Sequence, residues 1–366
     1  MDAIVPFSGS YAAGDVQFLL RRLPAHAFVS IDDKEALIQS GRRHYSEMLS
    51  PEALPSARYM QVFEDACAAH LPQMARDCLA LAAIIAARRE GDIVLVSLAR
   101  AGTPVGVVLK RLLATVFGRR VTHYSVSIAR DRGVDAVALR HIVQHHASEA
   151  VVFVDGWTGK GVISRELAQS VAAFNAAHGT HIDSGLHVLS DLAGSAACAS
   201  GADEYLIPSS ILNATVSGLV SRTVVSGADE LHGCVYYESF APHDQSRRLV
   251  DSVEAAAAVL ARQGVAAPVT LDGAALGRAA AATSRACLAL LQQQYGVTDV
   301  NLIKPGIGEA TRVLLRRMPR LLLVRDRDAP GVRHLLLLAQ EKNVPVVIDS
   351  SLPYQAVSLI RSAIDG

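Results

Sequence analysis

The stretch 151–164, VVFVDGWTGKGVIS, decides how the rest of the sequence is read. Its first four residues are β-branched or aromatic and show no polar alternation, which describes a strand buried on both faces. The strand ends at Asp155, and Gly156, Gly159 and Gly161 then lead into a helix that starts near Ile163. A strand end, a glycine-rich turn and a helix N-terminus gather backbone N–H groups around one point, the geometry that binds a phosphate. Gly159 and Gly161 allow close backbone approach. Thr158 adds a hydroxyl, Trp157 and Lys160 complete the loop, and Asp155 is placed to accept hydrogen bonds from ribose hydroxyls. A Walker A loop is excluded, because it needs four residues between its glycines and a Ser or Thr after its lysine; Lys160 is followed by Gly161.

The same grammar repeats on either side. Segments 93–98 (IVLVSL), 121–128 and 181–190 read as further strands, with helices to Leu113, over 134–146 and from Ser164. Strands that are apolar on both faces and alternate with helices describe a parallel sheet covered on both sides. The first strand closes in Ala99-Arg100-Ala101-Gly102, where Arg100 offers a forked donor to a polyphosphate and Gly102 relieves crowding. Taken alone, this loop is equally a helix start with Thr103 as cap, Pro104 in the first turn and a solvated Arg100. A second loop at a neighbouring strand end favours a ligand, since open α/β sheets bind there. Arg130, Asp131 and Arg132 follow the second strand, where they can close over a phosphate-rich substrate or form a solvated turn.

Outside this unit, 15–23 reads as a helix stopped by Pro24, and 59–89 as a helix broken or kinked at Pro72 and ended by Gly91. A further helix covers 245–264, and 266–277 is looser. After Tyr295 a second alternating unit begins: strand 300–303, helix 309–317, strand 321–324, helix 331–342, strand 344–348 and helix 354–364. The expected organisation is a main domain over 1–245, a helical connector over 246–294 and a small α/β/α domain over 295–366.

Bulk properties narrow the function classes. With 51% hydrophobic and 19% charged residues, the chain is expected to be compact rather than disordered. A formal net charge of zero removes any global pull toward nucleic acid or membrane, so anion binding has to be local. No apolar run is long enough to span a bilayer, and the first ten residues carry no basic group, unlike a signal peptide. Five cysteines without a CxxC pair give neither a disulfide framework nor a zinc site, and a cytoplasmic setting is expected. His141 and His145 share a helical face without a third ligand and read as surface residues.

Segment 151–161 resembles the diphosphoribosyl-binding signature of type I phosphoribosyltransferases, with Gly156 where that family has a second acid. The resemblance implies a phosphoribosyltransferase-like fold that takes phosphoribosyl diphosphate. It assigns the pyrophosphate to Ala99, Arg100, Ala101 and Gly102, the hood to Arg130, Asp131 and Arg132, and Mg²⁺ to the diphosphate, reached by Asp155 through the ligand. The implied reaction passes ribose 5-phosphate to a nucleobase-like acceptor. Gly156 favours the alternative of a non-catalytic phosphoribosyl-ligand sensor.

Together, 41–56 (GRRHYSEMLSPEALPS), 124–135, 151–161, 207–224 and 304–319 resemble the StiP family. That family is linked by name to tellurite and stress resistance, and it couples a phosphoribosyltransferase-like domain to a Pelota-type RNA-binding domain. The resemblance implies an acceptor pocket at Asn213, Thr215, Ser217 and Arg222. It implies RNA contact through Lys304, Gly306, Glu309 and Arg312, with Arg316, Arg317 and Arg320 extending a basic strip. A homodimer is a further expected assembly. The family also carries a cysteine protease label, kept as a rival function. His232 and Cys234 are two residues apart on one strand, roughly 6.6 Å along the chain and pointing the same way, and Cys198 lies in a small-residue loop with no base nearby in sequence.

Overall fold

The computed structural model describes residues 4–24, 28–29, 45–225, 227, 229–264 and 273–361. Residues 41–44 of the first resemblance segment, most of 266–277, and 362–364 of the expected last helix lie outside them, as does the side chain of Arg316.

In chain order the first unit consists of β1 (Gln17–Phe18), β2 (Arg21–Arg22), α1 (Ala57–Arg88), β3 (Ile93–Ala99), α2 (Gly102–Thr115), β4 (Val121–Ala129), β5 (Gly133–Val134), α3 (Ala136–His145), β6 (Val151–Thr158), α4 (Val162–His178), β7 (Leu186–Asp191), β8 (Cys198–Gly201) and β9 (Gly233–Cys234). The main sheet runs β1-β4-β3-β6-β7-β8, every pair on that path parallel, with β5 antiparallel on β4. Alternate residues of β6 explain why its sequence does not alternate. Val152 and Val154 pack toward α1, α2 and a later helix, while Val151 and Phe153 pack toward α3 and α4. From β3 the chain winds outward to β4, then returns across β3 to β6 and continues to β7 and β8. The loops after β3 and β6 therefore lie side by side at the point where winding reverses. They touch: a Cβ on Gly102 would stand 2.6 Å from the Val154 carbonyl oxygen.

Next come α5 (Ser246–Arg262), α6 (Gly273–Tyr295), β10 (Ile303–Pro305), α7 (Ile307–Arg316), β11 (Pro319–Val324), α8 (Arg333–Glu341), β12 (Val346–Ile348) and β13 (Ala356–Ile360). The second sheet is ordered β10-β13-β11-β12, parallel only between β11 and β12. Cys287, Leu288 and Leu291 of α6 cover one face against Ile303, Leu323, Val357 and Leu359. The other face meets α7 and α8, whose Ile307, Leu314 and Leu335 join the core formed by α1 and α2. The α/β architecture with a parallel central sheet and a small C-terminal domain agrees with the sequence reading.

Three local expectations are corrected. Segment 15–23 is two short strands rather than a helix. Asp15 is fixed by Arg111 at 2.7 and 2.9 Å and its carbonyl by His123 Nδ1 at 2.9 Å, which draws the chain out along β4. Segment 354–364 yields the strand β13, a central strand of its sheet, because buried Val357 and Leu359 alternate with Ser358 across its two faces. Finally, α1 runs unbroken through Pro72.

His123 is buried inside the main sheet, with Nε2 2.9 Å from Ser97 Oγ, and burial lowers its pKa to about 4. Burial lowers His334 similarly, to about 4. Both pKa values lie below the unfolded value, so the stability of the neutral rings is present above pH 6.5 and lost as pH falls from 6.5 toward 4. Thermal midpoints recorded across that window should fall steeply with acidification. Gly106 is packed against the same ring, since a Cβ there would come 2.3 Å from His123 Nε2. Gly106→Ala is expected to destabilise by about 1–3 kcal/mol in urea unfolding.

Candidate functional site

The loop 155–161 and the segment 304–312, read from sequence as parts of separate sites, meet face to face. Asp155 Oδ1 accepts the Gly156 N–H at 2.8 Å. Burial raises its pKa to about 6 against the pull of Arg312. Trp157, the single tryptophan, lies under the Arg312 guanidinium at 4.6 Å from the ring centroid and against Gly308, where a Cβ would come within 3.2 Å. Thr158 donates to Asp191 and accepts from the Ala193 N–H, tying the loop to the end of β7. A Cβ on Gly159 would stand 3.4 Å from Glu309 Cγ. Gly161 takes φ +70° before α4, close against Ser195. Lys160 Nζ donates to the Val300 carbonyl at 2.7 Å, and burial with Lys304 and Arg130 nearby lowers its pKa to about 7.

From the other side, Lys304 sits on β10 with its pKa lowered by burial. Gly306 precedes α7 at φ +92°. Glu309 pairs with Arg312 at 2.9 Å; burial pushes the carboxyl up, but Arg312 and Lys304 outweigh it and the net shift is downward. Glu204, which sequence reasoning missed, clamps the seam. Its two carboxylate oxygens accept from the backbone N–H groups of Ile307 and Gln355, and its carbonyl accepts from Gln355 Nε2 at 2.6 Å. Burial raises its pKa to about 7. Its one mark in sequence is an acid set directly before the apolar run Tyr205-Leu206-Ile207.

The remaining candidates border this loop or lie apart from it. Ala99 ends β3 and Ala101 lies beside Gly156. Arg100 is held by Glu52 at 2.6 Å, the Val220 carbonyl at 3.0 Å and Asn213 Oδ1 at 3.2 Å, so its fork is already filled by protein. Thr215 and Ser217 are buried, the Ser217 hydroxyl donating to the Asn213 carbonyl, and Arg222 donates to the Met48 carbonyl. These residues brace segment 207–222 internally. Arg130 donates to Asn301 Oδ1 at 2.9 Å, Asp131 is at φ +63°, and Arg132 pairs with Glu47 at 2.9 Å.

The five thiols are free. Cys234 is fully buried and pushed up to about 12, while the His232 ring faces Ser127 Oγ at 2.7 Å instead of the thiol. Cys198 has a different setting. In the parallel register of β7 and β8 it stands opposite His187. Facing residues on paired strands share one side of the sheet, with strands roughly 4.8 Å apart. That side is covered by α1, whose Asp77 carbonyl accepts from Ser200 Oγ at 2.7 Å. His187 Nδ1 faces the Gly185 carbonyl at 3.1 Å, an acceptor for the ring N–H. Burial lowers its pKa to about 4, although Asp183 nearby favours the charged form. Asp183 accepts from Arg89 Nη2 at 2.7 Å and from the Gly185 N–H at 2.9 Å. Burial pushes this carboxyl up, and those two bonds bring it below its ordinary value. Burial raises the Cys198 thiol, with Arg88 opposing. Strand pairing across eleven positions thus sets a histidine opposite Cys198 in register; the signal in sequence was a His and a Cys each at the start of consecutive strands.

Among the described residues, no group of three or more His, Cys, Asp or Glu side chains is arranged to hold a metal ion, and no helix is long and apolar enough to cross a membrane.

Residues 9–254 match the family described as tellurite-like stress resistance cysteine protease StiP, and residues 282–362 match the PELOTA RNA binding domain. The chain is 39% identical over 369 residues to a protein of Acinetobacter baylyi (strain ATCC 33305 / BD413 / ADP1) named cysteine protease StiP, with 97% of this chain and 94% of that protein covered. These matches overturn the expected phosphoribosyltransferase activity: the family's description is that of a cysteine protease. The structural reason is visible at the loop itself, where protein groups from 300–312 fill the space read as a phosphate cradle. Removing the cation over the indole tests that packing. Arg312→Ala should shift Trp157 emission to the red and raise acrylamide quenching, with a loss of about 0.5–2 kcal/mol in stability.

Proposed function

Because the chain belongs to the StiP family, we propose that it is a cysteine-dependent peptidase of a stress response, with Cys198 as nucleophile, His187 as base and Asp183 steadying the base. The observation that carries this is the β7–β8 register, in which His187 and Cys198 are facing partners, together with the influence of the nearby Asp183 carboxylate on the His187 ring. Nucleophile, base and orienting acid are the parts a thiol peptidase needs, whatever their order in sequence.

The shifts define the mechanism. A base held near 4 and a thiol raised above its ordinary value form a neutral resting pair. The Cys198 proton therefore passes to His187 Nε2 as Sγ attacks the peptide carbonyl carbon. The C–N bond then breaks, and the same proton goes to the leaving amine. Water, deprotonated by His187, attacks the thioester and releases the acid product and the thiol. Asp183 stabilises the imidazolium formed in each half-reaction. Cys198 and His187 are 7% and 5% exposed, and Gly185 packs against Ala197 and Asp183 at the same rim.

In this reading the parallel sheet is a type I phosphoribosyltransferase-like scaffold used without transferase chemistry, since a fold does not dictate its reaction. The C-terminal module contributes RNA binding, in keeping with its matched description. Five free thiols suit a reducing cytoplasm. Cys67 is the competing nucleophile, because it is the least buried of the five and precedes His70 by one helical turn.

Peptide hydrolysis by the purified chain should fall roughly 10³-fold or more in Cys198→Ser and in His187→Ala, while Cys67→Ser and Cys234→Ser keep it. Loss in Cys67→Ser with retention in Cys198→Ser would transfer the role. The acid limb of kcat/KM should lie near pH 4 rather than near the ordinary histidine value, because the depressed base stays neutral down to that pH.

A further inference from the structure

We propose that the docked N-terminal domain masks the RNA face of the C-terminal module, so that RNA and the loop 155–161 compete for the same residues. The inference rests on the reading of that module as RNA-binding.

Arg312, Glu309 and the start of α7, which would meet RNA, are already engaged. Arg312 is stacked on Trp157 and paired with Glu309, so both the flat face and the donor edge of its guanidinium are in use. Glu309 lies against Gly159, and Gly308 against the indole. The N-terminus of α7 presents its free N–H groups where a phosphate oxygen would bind. There the Glu204 carboxyl already accepts from Ile307, an acceptor of the protein's own at the place of a ligand's. The same carboxylate holds Gln355 through its second oxygen. The crevice left between Trp157, Glu204 and Gly306 is about 10 Å³, room for one water and not for a nucleotide. Beyond Glu204 the seam opens into a groove of about 440 Å³ lined by Asp203, Ser284, Arg325 and Gln355, so solvent reaches the edge of the clamp without entering it.

A carboxylate accepts from two N–H donors, whereas an amide has one acceptor oxygen and turns its NH₂ against the second. Glu204→Gln is therefore the opening variant, and Trp157 the reporter. The probe is a fluorescein-labelled RNA stem-loop with an asymmetric internal bulge, titrated into the full-length chain. Glu204→Gln should shift Trp157 emission to the red and tighten RNA binding about tenfold. Saturating RNA on the unaltered chain should produce the same emission shift. If Glu204→Gln leaves emission unchanged, Gly159→Leu forces the seam apart sterically from the loop side, far-UV circular dichroism confirms the fold, and the same gain is expected. An open seam with unchanged or weaker RNA affinity overturns the masking and leaves the RNA reading standing. Absence of RNA binding by every variant overturns both.

Discussion

A sheet buried on both faces leaves its chemistry only the ends of its strands. Val151 to Val154 show the constraint in its plainest form: their side chains go alternately to the two helical layers, and none remains for a ligand. Everything of functional interest is consequently gathered at the two rims. At the carboxyl ends of β3 and β6, where the winding reverses, the C-terminal module is docked. At the opposite rim, the starts of β7 and β8 set His187 and Cys198 at facing register positions.

The two rims differ in how their charges are settled. At the docked rim, Asp155, Lys160 and Glu204 all move toward neutrality because packing excludes water from them. Their neighbours divide the remaining charge into pairs, Glu309 with Arg312 foremost. That is the chemistry of an interface. At the thiol rim the imidazole is kept neutral, the carboxylate beside it is kept charged by Arg89, and the thiol is kept protonated. A neutral imidazole near a charged carboxylate is the combination the proposed peptidase chemistry uses.

Much of the fold was legible in sequence, because unalternated β-rich runs separated by helices admit few arrangements other than a covered parallel sheet. The family was legible from long segments spread along the chain. Segment 15–23 was misread because its conformation is set by Arg111 and His123, some hundred residues away, and local propensity carries no trace of them. The strand β13 was misread for a similar reason, its pattern being short enough to suit a helix until its antiparallel partners are known. The loop 155–161 was read correctly as a strand–turn–helix corner and wrongly as a transferase site. Glycines that admit a phosphate equally admit a second domain, and sequence does not distinguish the two. The facing positions of Cys198 and His187 were invisible because they arise only through strand register, which sequence spacing does not encode.

The central claim is that Cys198 is the reactive thiol and His187 its base. The most direct measurement is peptide mapping by mass spectrometry after the full-length chain is treated with a peptidyl electrophile that alkylates peptidase thiols. The account predicts one adduct, on Cys198, that is lost in His187→Ala. An adduct on Cys67, or a Cys198 adduct that forms equally well without His187, would contradict it.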